Sequence, residues 1–244
     1  MAESLKKYSK KDDLKKKIGF IIGVVILVIA VAISSIVIFQ KVYYTPFWVN
    51  GQSMYPTLNK DAKYSDNDSL IGERVDTSSR PMYDLDYGFM STSNISINNI
   101  KRFDIVVLKY SEAQTSYNIK RVIALPGETF YINSSSDDNN GNLNIFDKNK
   151  NKYAVVDQPI DSYHLKNGMY PKKYSSPITL ESDEYFVMGD NRLSGNSMDS
   201  RSVGPIKRNL ILGVAKGLNG KASVIYDDGN YVVKNVTHHF PRFF

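Results

Sequence analysis

The 244-residue sequence has no cysteine and only three histidines. Without cysteine there are no disulfides, no thiolate zinc sites and no cysteine nucleophile. Two of the histidines are the neighbours His238 and His239 near the C-terminus, which leaves little for a histidine metal site. The lack of cysteine does not fix the compartment. Acidic residues are outnumbered, 25 against 31 Lys and Arg, for a formal charge of +6. Such a surplus first suggests nucleic acid or an anionic membrane surface as partner. A 42% apolar content with 12% aromatics excludes a disordered chain.

The placement of the charge removes most of the nucleic-acid reading. Residues 1–17 hold seven lysines against Glu3, Asp12 and Asp13, a surplus of four. Residues 18–39 hold no charge, so only two of the six positive charges belong to residues 40–244. The uncharged stretch reads IGFIIGVVILVIAVAISSIVIF, eighteen Ala, Val, Ile, Leu or Phe with two Gly and two Ser. As a helix it spans about 33 Å, enough for a hydrocarbon core of about 30 Å. A soluble helix of that length would show a polar stripe, and none is present. Ala30-Val31-Ala32 has the small-x-small form of a cleaved signal. The apolar run continues to Phe39, past the usual signal core of about 7–15 residues, so an uncleaved anchor is expected. Lysines ahead of it place residues 1–17 in the cytoplasm and residues 40–244 outside, with Tyr43, Tyr44, Phe47 and Trp48 at the outer interface.

Beyond the anchor the expected structure is mainly β. Short β-branched or aromatic runs at 105–108, 118–125, 129–132, 185–188, 210–214, 223–226 and 231–236 read as strands. Residues 61–100 and 133–152 read as polar surface insertions, the second a loop or hairpin tip unable to supply a core. Residues 128–184 are expected to form a small inserted β cap.

Three segments stand out chemically. In VNGQSMYPTL (49–58), Gly51 and Pro56 would fix Ser53 on an exposed bend; by itself a Ser between Gly and Pro is usually a turn residue. In NIKRVIALPG (118–127), strand alternation puts Lys120 on a face with Val122 and Ala124, and Arg121 on the other with Ile119, Ile123 and Leu125. Desolvation there would lower the Lys120 pKa and let a neutral amine take a proton from a serine hydroxyl. The alternative is a strand-end lysine whose ammonium snorkels to water. In GDNRLSGNSMDSRSVG (189–204), Asp190 or Asp199 could pair with Arg192 or Arg201 and stiffen a buried loop.

Taken together, these segments resemble bacterial type I signal peptidases, membrane-anchored Ser–Lys enzymes that remove signal peptides from exported proteins. The resemblance lies in GQSMYPTL (51–58), IKRVIALPGE (119–128), GDNR (189–192) with NSMDSRSVG (196–204), and DIVVLKY (104–110) behind an anchor. It implies an N-terminal transmembrane helix (18–39) and a β-rich extracytoplasmic catalytic domain (40–244). It implies Ser53 as nucleophile, with its backbone N–H donating to the oxyanion, and Lys120 as general base. It further implies Ser197 orienting the lysine amine, and Asp190, Asp199 and Arg201 supporting the site. Val49, Met54, Leu58 and Ile119 would line pockets for small substrate side chains. No metal or organic cofactor is implied. The expected partners are exported preproteins with small residues at positions −1 and −3, and the lipid bilayer, with no nucleic acid. There are departures. Gly51 stands where some members have a hydroxyl that assists the oxyanion. Residues 193–195 carry two extra residues before Asn196, and Asn118 replaces a tyrosine. The competing readings are a non-catalytic accessory or chaperone for surface-fibre assembly, and a self-cleaving Ser–Lys regulator that binds DNA.

Overall fold

A computed structural model describes residues 2–64, 70–72, 74–135 and 138–244. Parts of the two polar stretches, residues 65–69, 73 and 136–137, lie outside the described residues. The chain divides into two compact units, Met1–Tyr44 and Thr45–Phe244.

The first unit is essentially one helix, α1 (Ala2–Tyr43). Its segment Lys15–Ile38 is long and apolar enough to cross a membrane. The apolar side chains there have no protein cover; Phe20, for example, is 74% exposed. Ser35 donates its hydroxyl back to the Val31 carbonyl at 2.8 Å, which satisfies it without water. This helix is consistent with a single-pass membrane anchor.

The second unit is mainly β, as expected. The strands are β1 (Tyr44–Trp48), β2 (Lys63–Tyr64), β3 (Leu70–Ile71), β4 (Arg74–Val75), β5 (Pro81–Ser91), β6 (Ile105–Leu108) and β7 (Asn118–Ala124). They continue with β8 (Thr129–Ile132), β9 (Leu143–Asp147), β10 (Lys152–Val156), β11 (Ile178–Thr179), β12 (Glu184–Met188), β13 (Ile206–Lys207), β14 (Ile211–Asp227) and β15 (Asn230–Phe243). Three helices of four or five residues intervene: α2 (Asn94–Asn98), α3 (Ser162–Lys166) and α4 (Ser200–Val203). The main antiparallel sheet runs β1-β5-β14-β6-β7-β12-β13, with β15 on β14 and β4 on β5. A second sheet, β10-β9-β8-β11, is built from residues 129–179.

The long strand β14 organises the main sheet. It pairs with β6 at its start, β5 along most of its length and β15 beyond Gly217. Register shifts near Gly217 and Gly220 bend it. A side chain at either glycine would collide with the β15 carbonyls of Arg242 or Thr237, so the close backbone approach requires glycine there. Runs 210–214 and 223–226, read separately from sequence, therefore belong almost entirely to one strand.

Two further readings are corrected. Residues 61–100 are not merely a surface insertion, because they contain the eleven-residue β5, whose Leu85 is fully buried. Its charges are answered from elsewhere: Arg74 meets Asp84 and Lys221 meets Asp86. Residues 133–152 contribute β9, whose Leu143 packs in a core with Phe130, Ile132, Phe186 and Met188. A second apolar cluster holds Val49, Met54, Leu58, Ile105, Ala215 and Leu218. This one lies under the loop that carries Ser53.

Candidate active site

Ser53 sits on the turn that follows β1. Gly51 has φ +95°, a left-handed conformation open to glycine. The turn closes through Tyr55 N–H to the Gln52 carbonyl (2.9 Å) and Leu58 N–H to the Met54 carbonyl (3.0 Å). Met54 and Leu58, 1% and 0% exposed, anchor the turn from beneath. The far side is held by Asn191, whose backbone N–H donates to the Ser53 carbonyl at 3.1 Å. Its side-chain amide donates to the Gln52 carbonyl at 3.3 Å. A trans peptide points its N–H opposite its C=O. With the Gln52 carbonyl turned towards Asn191 and Tyr55, the Ser53 N–H faces the other way.

Lys120 is on β7, opposite Val106 of β6, and only 3% exposed. Its Nζ lies 2.7 Å from Ser53 Oγ and 2.9 Å from the Ile119 carbonyl. Desolvation by burial lowers its pKa from 10.5 to about 8; the nearby charges of Asp199 and Asp190 oppose that shift and Arg201 adds to it. As an ammonium, Nζ donates to Oγ. As a neutral amine, it can accept the serine proton along the same line.

The polar loop braces this pair. Asp199, fully buried, accepts from Arg201 Nε (2.9 Å) and Nη2 (2.8 Å), Gly189 N–H (2.9 Å) and Ser197 Oγ (2.7 Å). Burial would raise its carboxyl pKa, but the Arg201 hydrogen bonds and charge, with the Gly189 and Ser197 bonds, hold it below the ordinary value. Arg201 also reaches the carbonyls of Arg192 (2.8 Å) and Met169 (3.0 Å).

Asp190 pairs neither with Arg192 nor with Arg201. Its partner is Arg121, which donates Nε at 2.8 Å and Nη2 at 2.6 Å. The register explains this: Met188 of β12 lies opposite Arg121 of β7, bringing the start of the loop to that side chain. Arg192 is fully buried and donates Nε to the Gly189 carbonyl at 2.7 Å. Burial lowers its pKa.

The structure thus brings Ser53, Lys120, Asp190, Asp199 and Arg201 into one cluster. Ser197 lies beside Gly189, but its hydroxyl donates to Asp199 instead of engaging the lysine amine. Val49 and Ile119 line a cleft of about 480 Å3 that also holds Ser53 and Lys120. Its walls come from residues 45–50 on one side and 116–120 on the other. Met54 and Leu58 are not among its lining residues; they lie in the apolar cluster shared with Val49. Sequence reasoning missed Arg121 and Asn191 as site residues. A second cation beside Lys120 in an apolar strand was the available signal for Arg121, since a buried guanidinium is costly to leave without an anion. Among the described residues no group of three or more His, Asp or Glu is placed to hold a metal ion.

Residues 20–218 match the family model described as "Signal peptidase, peptidase S26". A Signal peptidase I of Bacillus amyloliquefaciens is 30% identical over 224 residues, covering 88% of this chain and 93% of its own. Signal peptidase I U of Bacillus subtilis (strain 168) is 32% identical, covering 77% of this chain and 80% of its own. Signal peptidase I P of Bacillus subtilis subsp. natto is also 32% identical, covering 76% and 83%.

Proposed function

The chain belongs to the signal peptidase family, peptidase S26, and acts as a type I signal peptidase, a serine endopeptidase on signal-peptide-bearing preproteins; from that premise we propose that Ser53 is its nucleophile and Lys120 its general base. The observation that carries this reading is the 2.7 Å approach of a buried Lys120 Nζ to Ser53 Oγ. Neutral Lys120 removes the hydroxyl proton as Oγ attacks the scissile carbonyl. The resulting ammonium protonates the leaving amine, and the acyl group stays on Ser53. Lys120, neutral again, takes a proton from water as that water attacks the ester, and returns it to Oγ as the acid leaves. The outward Ser53 N–H donates to the oxyanion. Asp190 with Arg121, and Asp199 with Arg201 and Ser197, position the loop behind the pair.

The substrate segment binds extended in the cleft. Residues 118–120 pair with β6 on one edge, while β12 pairs only from Arg121 onward. Among the described residues, no further strand follows β1 in the sheet order. Residues 45–48 of β1 and 118–120 of β7 both border the cleft, which suits strand addition. Val49 and Ile119 make the wall apolar, favouring small residues at −1 and −3. The basic tail stays cytoplasmic and the catalytic unit lies outside.

The test is preprotein cleavage by the purified full-length chain in detergent, beside Ser53→Ala and Lys120→Ala. Both variants are expected to lose cleavage and keep the parent's circular dichroism. Cleavage retained by Ser53→Ala would overturn the reading. Because the chain has no cysteine, Ser4→Cys or Ser175→Cys alone reports sidedness by impermeant thiol labelling in intact cells. Labelling is expected for Ser175→Cys and absent for Ser4→Cys, and the reverse pattern refutes the topology.

A further inference from the structure

A second buried polar cluster, which the mechanism above does not use, holds the backbone just ahead of Ser53. Its centre is Asn59, fully buried, with φ +56°. The Asn59 side-chain amide donates to the Val49 carbonyl at 2.8 Å, and its second N–H is shared between the Gly51 carbonyl and the Tyr64 hydroxyl, both at 3.3 Å. Its Oδ1 accepts the Asp86 backbone N–H at 2.7 Å. The Asn59 backbone N–H donates to Asp86 Oδ2, also at 2.7 Å. Asp86 is held in turn by Lys221 at 2.6 Å, and its carbonyl accepts the Val49 N–H at 2.9 Å. One side chain thereby links both ends of the segment ahead of Ser53 to the strand β5.

The consequence reaches the reacting atoms through peptide planarity. Fixing the Gly51 carbonyl on Asn59 aims the Gln52 N–H the opposite way. Gly51 itself, free at φ +95°, cannot hold that peptide by its own side chain. The next peptide is held by Asn191 and Tyr55. Two successive amides, Gln52 and Ser53, are thus oriented by side chains outside the turn, and one of those side chains is Asn59.

We propose that Asn59 is a positioning residue of this peptidase: acting through the Val49 and Gly51 carbonyls, it sets the Gln52 amide ahead of the Asn191-held Ser53 amide, and with it the reach of Ser53 Oγ to Lys120. The proposal rests on the Ser53–Lys120 reading. Its simpler rival is that asparagine occupies position 59 only because it tolerates a left-handed backbone. Asn59→Gly separates the two, since glycine keeps that backbone without strain and removes the amide.

The experiment measures kcat, KM and the pH profile of preprotein cleavage by full-length Asn59→Gly in detergent, per folded molecule counted by near-ultraviolet circular dichroism. Misplacing reacting groups by about 1 Å costs about 100-fold, so a kcat loss of at least about 30-fold is expected. KM should change by less than about threefold. The midpoint of the pH profile should stay at the parent's value, because the burial and the charges of Asp199, Arg201 and Asp190 that set the Lys120 pKa are not contacts of Asn59. Asn59→Asp, which tolerates the same backbone and keeps an acceptor but loses both donors, should show the same loss; it carries the test if the glycine variant does not fold. A kcat within about threefold of the parent in the folded variants, or a loss that tracks only the unfolded fraction, overturns the proposal. A parent that fails to cleave overturns the Ser53–Lys120 reading as well, so the two failures are distinguishable.

Discussion

Asp199→Asn perturbs the site in two separable ways. The first is stability. Asp199 is fully buried and its partner Arg201 is 5% exposed. The amide removes the charge that neutralises the guanidinium and one acceptor from a carboxylate serving five donors. Breaking a buried pair by removing one partner costs about 3–5 kcal/mol. For a unit of this size that corresponds to a fall in Tm of about 6–20 °C. The pH dependence has a definite sign. The folded carboxyl titrates below its ordinary value, so its stabilisation is present above that value and lost as pH falls through the folded one. The parent should lose this increment in acid, and the variant should lack that part of the pH dependence. The second effect is on Lys120. Asp199 raises the lysine pKa and Arg201 lowers it. Asp199→Asn should therefore shift the midpoint of the pH–rate profile down, and Arg201→Met should shift it up. Thermal unfolding and cleavage rates over a pH series read both effects. A midpoint that rises in Asp199→Asn, or a Tm within about 2 °C of the parent, refutes the reasoning.

Lys120→Met should abolish cleavage yet stabilise the fold. The lowered lysine pKa means that stability rises with pH between about 8 and 10.5, so below that window the buried amine costs up to about 3 kcal/mol that methionine removes; urea unfolding at pH 7 checks it. Gly189→Ala should lower kcat by about tenfold or more, because the new methyl would collide with Ser197 Oγ and the Ser53 carbonyl; steady-state kinetics with a folding control reads it.

Several of these parts were legible in the sequence and others were not, for identifiable reasons. The anchor and the β-rich character follow from composition and short-range pattern. Ser53 and Lys120 stand out only through the resemblance of their segments to type I signal peptidases, because a serine between glycine and proline reads alone as a turn residue and a strand lysine as a snorkelling one. The partner of Asp190 was not legible. Arg121 lies 69 positions away, and only the β7–β12 register brings them together. Strand β5 was hidden by Asp84 and Asp86; Asp84 does face solvent, whereas Asp86 is buried and met by Lys221. The strand β9 was hidden by the polar residues around it, although Leu143 fills a core position and Ile145 packs against the same core. Met54 and Leu58 are pocket-lining residues only as the resemblance implies; in the structure both are buried in the apolar cluster beneath Ser53.

The central claim is that a neutral, buried lysine activates Ser53. The most direct measurement is the pH dependence of kcat/KM for preprotein cleavage by the full-length chain. Activity should rise with a midpoint of about 8, the value to which burial depresses Lys120. A midpoint near the ordinary lysine value of about 10.4, or a rate independent of pH across that range, would contradict the account.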